Sequence, residues 1–148
     1  MDLYAELIIE HSKRPVGAGL RSPFDGESHQ INPSCGDEVT LRVTLAPATS
    51  GEQVVQDVSY DAVGCSISVA SASVLAEELT GADLGTVETT YQAMHAMLTS
   101  RGADHGDPEV LGDGVALAGV SRYPARVKCA LLPWMALTDA LAKAGVRP

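Results

Sequence analysis

Two stretches of strict alternation, followed by helical periodicity alone, fix the class of fold this chain can adopt. Val39, Leu41, Val43 and Leu45 alternate with Thr40, Arg42 and Thr44, and Val58, Tyr60 and Ala62 alternate with Asp57, Ser59 and Asp61. Period-two alternation puts apolar side chains on one face of a strand. The residues between, Pro47 to Glu52, carry turn chemistry, so the two strands pair as an antiparallel hairpin. A third strand is expected near His29–Ile31. Gly64 then breaks the pattern, and the period lengthens to three and four. Residues 66–79 read as a helix with Ile67, Ala70, Val74 and Leu79 on one face, ended by Gly81. Residues 84–99 read as a second, with Leu84, Val87, Tyr91, Met94 and Leu98 as its buried stripe.

The remaining segments are simpler. Residues 2–12 form a short helix closed by Pro15, and a Gly/Pro-rich loop runs from Pro15 to Gly26. Residues 101–124, rich in Gly and Asp, read as irregular. Pro133 in a helix interior would remove an amide and clash with the residue 129 carbonyl, whereas the first turn tolerates proline. The last helix is therefore expected from about Ala130 to 144, with Cys129 as its N-cap. Strands first and helices after predict an α+β class, a small antiparallel sheet with helices packed on one face. The 148 residues are expected to form a single domain, 1–148.

Composition narrows the function. A net charge of −9, from 19 acidic and 10 basic residues, argues against nucleic acid as a partner. No apolar run approaches the ~20 residues of a membrane span, so no membrane partner is expected. Met1-Asp2-Leu3-Tyr4-Ala5-Glu6 has no basic n-region, so it is not read as a signal peptide. An odd number of cysteines without such a signal fits free thiols in a reducing cytoplasm.

The three cysteines carry the chemistry. Cys35 sits in the turn Asn32-Pro33-Ser34-Cys35-Gly36-Asp37, Cys65 where strand gives way to helix, and Cys129 in Arg126-Val127-Lys128-Cys129. A lone cysteine is more often a small buried hydrophobe than a ligand. Three at turn or helix-start positions weaken that reading, because a helix N-terminus favours the thiolate that binds metal. Three thiolates and the Asp37 carboxylate make four ligands, enough for one tetrahedral zinc or part of an iron–sulfur cluster. Asp37 reads equally well as a residue accepting local turn bonds. Arg126, three residues before Cys129, reads as a surface residue or as a charge holding a thiolate. The four histidines share no ligand spacing, and Ser66, Ser68, Ser71 and Ser73 read as small residues permitting close helix packing.

At these residues the chain resembles the SufU/IscU-type iron–sulfur cluster assembly family over nearly its whole length. The resemblance lies in Leu7-Ile8-Ile9-Glu10-His11-Ser12-Lys13-Arg14-Pro15, in the Cys35 and Asp37 turn, in Gly64-Cys65-Ser66-Ile67-Ser68-Val69-Ala70-Ser71-Ala72-Ser73, and in Arg126-Val127-Lys128-Cys129-Ala130-Leu131. Lys128 stands where the IscU branch typically has histidine. The long stretch from Cys65 to Cys129, with an insertion around 101–121, is similar to the SufU branch. The resemblance implies Zn²⁺ held by Cys35, Asp37, Cys65 and Cys129. It also implies a PLP-dependent cysteine desulfurase and downstream cluster-assembly proteins as partners. Cys35 would leave the metal, accept persulfide sulfur and pass it on, with Arg126 stabilising thiolate charge, a sulfurtransferase-like role rather than that of a stand-alone enzyme. Two alternatives stay open: a scaffold for a labile [2Fe–2S] cluster, and a binding module whose zinc is purely structural.

Overall fold

The computed structural model describes residues 3–34, 36–47 and 51–146. In chain order the elements are α1 Leu3–Lys13, β1 Gly26–Asn32, β2 Asp37–Pro47, β3 Gln53–Val63, α2 Ser66–Leu79, α3 Leu84–Leu98, α4 Pro108–Leu111, a 3₁₀ segment Gly112–Arg122, and α5 Pro124–Lys143. The three strands form one antiparallel sheet in the order β1-β2-β3. Val39, Leu41 and Val43 of β2 point inward, aligned with Ala62, Tyr60 and Val58 of β3. Helix α5 lies against β1 and β2, and α2 against β3 and α5. The class is the expected α+β. The predicted third strand is β1, longer than expected. Part of the β2–β3 turn, residues 48–50, lies outside the described residues.

The loop from Pro15 runs along β3. Gly19 donates its amide to the Tyr60 carbonyl at 2.8 Å, and Arg21 donates its own to Ser59 Oγ at 3.1 Å. Tyr60 returns the contact by donating its phenol to the Val16 carbonyl at 2.6 Å. These bonds occupy a strand edge that would otherwise invite pairing with another chain. Among the described residues, no helix is long and apolar enough to cross a membrane.

Three expectations need correction. Helix α5 starts at Pro124 rather than Ala130, so Cys129 sits inside the helix and is not its N-cap; Tyr123 is. Proline is well tolerated at a first helical position, and the amides of Arg126 and Val127 bond the Tyr123 carbonyl. Pro133 has no amide to offer the Cys129 carbonyl, and α2 brings a hydroxyl to it instead: Ser68 Oγ lies within 3.2 Å. One residue on, Ser71 Oγ donates to the Ala130 carbonyl at 2.6 Å and ties α2 to α5.

The stretch 101–124 is not irregular in its second half. It forms α4, with Pro108 at its start and Asp107 capping, and then the 3₁₀ segment, which buries Val115, Ala116, Leu117 and Val120 against α1, α3 and α5. Helix α2, finally, does not have one apolar face: residues 70–76 are all buried. It is a central helix, wedged between the sheet, α1 and α5.

Candidate functional site

Three segments meet at one end of the sheet's inner face. Asp37 is the first residue of β2, Cys65 is the N-cap of α2, and Cys129 is in the second turn of α5. One ligand atom from each of the three lies within 4.8 Å of the others. Cys65 is half-buried and Cys129 buried. Cys35, the fourth expected ligand, lies outside the described residues; it precedes Asp37 by two positions in the sequence.

Local structure explains the convergence. The register pairs Asn32 with Asp37, so both face inward, and Asn32 Nδ2 lies 4.0 Å from Cys129 Sγ. Gly64 turns the chain from β3 into α2 at φ +140°, and a Cβ there would collide with the Asp37 carboxylate. That close approach lets the Cys65 amide donate to Asp37 Oδ1 at 2.9 Å. Ser68 Oγ donates to Oδ2 at 2.7 Å, and Cys65 Sγ is 3.6 Å from the same oxygen. Asp37 is thus no local turn residue: its partners lie 28 and 31 residues away.

Asp37 is fully buried, yet its charge is favoured. Burial pushes its carboxyl up; hydrogen bonds from the Cys129 thiol, the Cys65 amide, the Ser68 hydroxyl and the Cys65 thiol outweigh it and hold the carboxyl below its ordinary value. A buried carboxylate beside two thiols is a donor set of the kind zinc takes. Zinc bonds of ~2.3 Å to sulfur and ~2.0 Å to oxygen put tetrahedral donors about 3.5–3.8 Å apart. The 3.6 Å between Cys65 Sγ and Asp37 Oδ2 falls in that range. The residues present fit the metal.

Arg126 is exposed in the first turn of α5, where it lines an apolar groove with Tyr4, Ile67 and Tyr123. Among the described residues, neither Arg126 nor Lys128 makes an ion pair. The serines of α2 are more than small. Ser71 accepts from Trp134 Nε1 at 3.0 Å, and Ser73 Oγ lies 2.6 Å from His11 Nδ1 and accepts the Val16 amide at 2.8 Å. His11 Nε2 in turn meets Asp113 Oδ2 at 2.9 Å and Glu77 Oε1 at 4.0 Å. This second polar cluster joins α1, α2 and the 3₁₀ segment. No sequence spacing reveals it, because its members come from three separate segments.

Comparison with known proteins identifies the family. The profile of the NifU-like N terminal domain matches residues 3–130. The zinc-dependent sulfurtransferase SufU of Bacillus subtilis is 37% identical over 141 residues, covering 95% of this chain and 90% of that protein. The iron–sulfur cluster assembly scaffold protein IscU of Streptococcus pyogenes is 33% identical, covering 94% of this chain and 82% of that protein. Among solved structures, a putative scaffold protein for the SUF system from Fervidobacterium islandicum superposes with a TM-score of 0.74 at 31% identity, over 91% of this chain and 93% of that one. The chain belongs to the NifU-like, SufU/IscU-type family of iron–sulfur cluster assembly scaffold proteins.

Proposed function

We propose that this protein accepts persulfide sulfur from a PLP-dependent cysteine desulfurase at a zinc site made by Cys35, Asp37, Cys65 and Cys129, and hands it to cluster-assembly partners in the cytoplasm. The observation that carries this reading is the convergence of Asp37, Cys65 and Cys129 from β2, α2 and α5. It is supported by the zinc-dependent name of the SufU relative. Zinc, when bound, keeps thiols deprotonated at neutral pH and masks them from solvent.

The chain's own residues supply the rest. Cys65 and Cys129 are anchored by helices, and Cys35, in the sequence Asn32-Pro33-Ser34-Cys35-Gly36, is the ligand assigned to leave the metal. Its thiolate attacks the outer sulfur of the donor's persulfide. A new S–S bond forms on Cys35, the donor's S–S bond breaks, and the donor cysteine leaves as thiolate. Arg126, next to this end of α5, offsets part of the negative charge. Ile31 and Val63, both exposed, stand opposite Glu38 on the outer face of the sheet at the same end, and Tyr123 is exposed at the head of α5. An apolar rim of this kind suits a protein partner.

The test is a reaction with a cysteine desulfurase and cysteine, read by mass spectrometry together with metal analysis. About one zinc per chain and persulfide first on Cys35 are expected. Persulfide mainly on Cys65 or Cys129 would overturn the assignment. A coloured, zinc-free [2Fe–2S] protein from anaerobic preparation would favour the scaffold reading. Full zinc with no effect on desulfurase turnover would make the metal purely structural.

A further inference from the structure

Ser68 is fully buried and stands between two acceptors. Its Oγ is 2.7 Å from Asp37 Oδ2 and 3.2 Å from the Cys129 carbonyl, with Cys65 Sγ at 3.8 Å. A hydroxyl has one proton and serves one acceptor fully at a time. The second acceptor is available because of residue 133. In a regular α-helix the amide four residues on would bond the Cys129 carbonyl; proline has no such amide.

We propose that Ser68 is a positioning residue for the metal ligand Asp37, and that Pro133 keeps that ligand exchangeable by offering the Ser68 hydroxyl a competing acceptor. This rests on the reading of Asp37 as a zinc ligand. With the Ser68 proton on Oδ2, the carboxylate is held at both oxygens, by Ser68 and by the Cys65 amide. Hydrogen bonds of this kind orient metal ligands and raise affinity. With the proton on the Cys129 carbonyl and both thiols bound to metal as thiolates, Asp37 keeps the Cys65 amide as its hydrogen-bond anchor and turns more freely. An ordinary residue at 133 would satisfy that carbonyl from within the helix and leave Ser68 on Asp37. The proline thus sets how firmly the carboxylate is held, from the far side of the site.

Zinc affinity and release, measured by competition with a chromophoric chelator, test this without any sulfur-transfer assay. Ser68→Ala is expected to weaken zinc by about 10- to 100-fold, and Ser68→Thr, which keeps the hydroxyl, to restore most of it. Pro133→Ala is expected to act in the opposite direction, with tighter zinc and slower release, and to lose that effect in a Ser68→Ala background. Should Ser68→Ala fold poorly, the double variant supplies the comparison. There the amide restored by Pro133→Ala satisfies the Cys129 carbonyl, so zinc loss relative to Pro133→Ala alone reads the Ser68–Asp37 bond by itself. A merely structural role would weaken zinc in both single variants, and that outcome overturns the proposal. Zinc that is lost in Asp37→Ala but indifferent to Ser68 and Pro133 overturns this inference and leaves the metal site standing. Zinc unchanged in Asp37→Ala overturns both.

Discussion

At Gly64 the chain has no room for a side chain. Its backbone lies at φ +140°, and the space a Cβ would fill holds the Asp37 carboxylate. Gly64→Ala is therefore expected to push Asp37 out of line and cost at least as much zinc affinity as the loss of an orienting hydrogen bond, about 10-fold or more. Chelator competition checks it, and wild-type affinity would refute the close-packing argument. Tyr60 gives a separate test through pH. Burial pushes its phenol up to about 12 despite a hydrogen bond with Ser73. The stability tied to neutral Tyr60 is complete below its unfolded value near 10 and is lost as pH rises through about 12. Over that window wild type should lose about 2–3 kcal/mol that Tyr60→Phe does not, measured by denaturant melts at pH 9 and above 11. Parallel loss in both proteins would rule this out. At this scale the sequence was readable where chemistry is strong. The types of Cys65, Cys129 and Asp37 marked them, but the serines of α2 did not stand out. A buried hydroxyl reveals itself only through partners such as Trp134 and Ala130, which lie about sixty residues away.

The elements show where pattern reading stops. Strands β2 and β3 and helix α3 were legible because each places its buried apolar residues at a regular period. Pro133 hides the start of α5 from helix propensity alone, because its cost is offset by a hydroxyl from another element, Ser68 of α2 at the Cys129 carbonyl. The 3₁₀ segment was missed because its three-residue turn matches neither the period of a strand nor that of an α-helix. That segment reaches back to α1 through Asp113 and His11. His11→Ala removes the bonds to both Asp113 and Ser73 from a buried position. It should destabilise the protein by about 1–3 kcal/mol, with amide exchange accelerated first in α1. Exchange that rises equally in β2 would instead mean that α1 is not a separate docking unit.

For the whole molecule, the site is where the sheet, the central helix and the last helix are pinned together. Stripping the metal should remove the stabilisation that binding supplies, about 3–4 kcal/mol when free zinc stands 100- to 1,000-fold above its Kd. For a chain of this size that is a fall in melting temperature of roughly 10 °C. Calorimetry before and after verified chelation gives the answer, and an unchanged curve would separate metal from fold. The overall arrangement was foreseeable from strands preceding helices, but the meeting point was not, since no local pattern says which loop ends share a corner.

Asn32 touches Cys129 across 97 residues of chain, while Asp37 and Cys65 are only 28 apart. During synthesis the two halves of the site therefore emerge at different times. A nascent chain has Asp37 and Cys65 long before Cys129, and α5 cannot cover β1 and β2 until it leaves the ribosome. On the proposed zinc site, the donors made first would hold an ion weakly until Cys129 joins them. Metal loading would then follow the synthesis of α5, and so mark how far translation has gone.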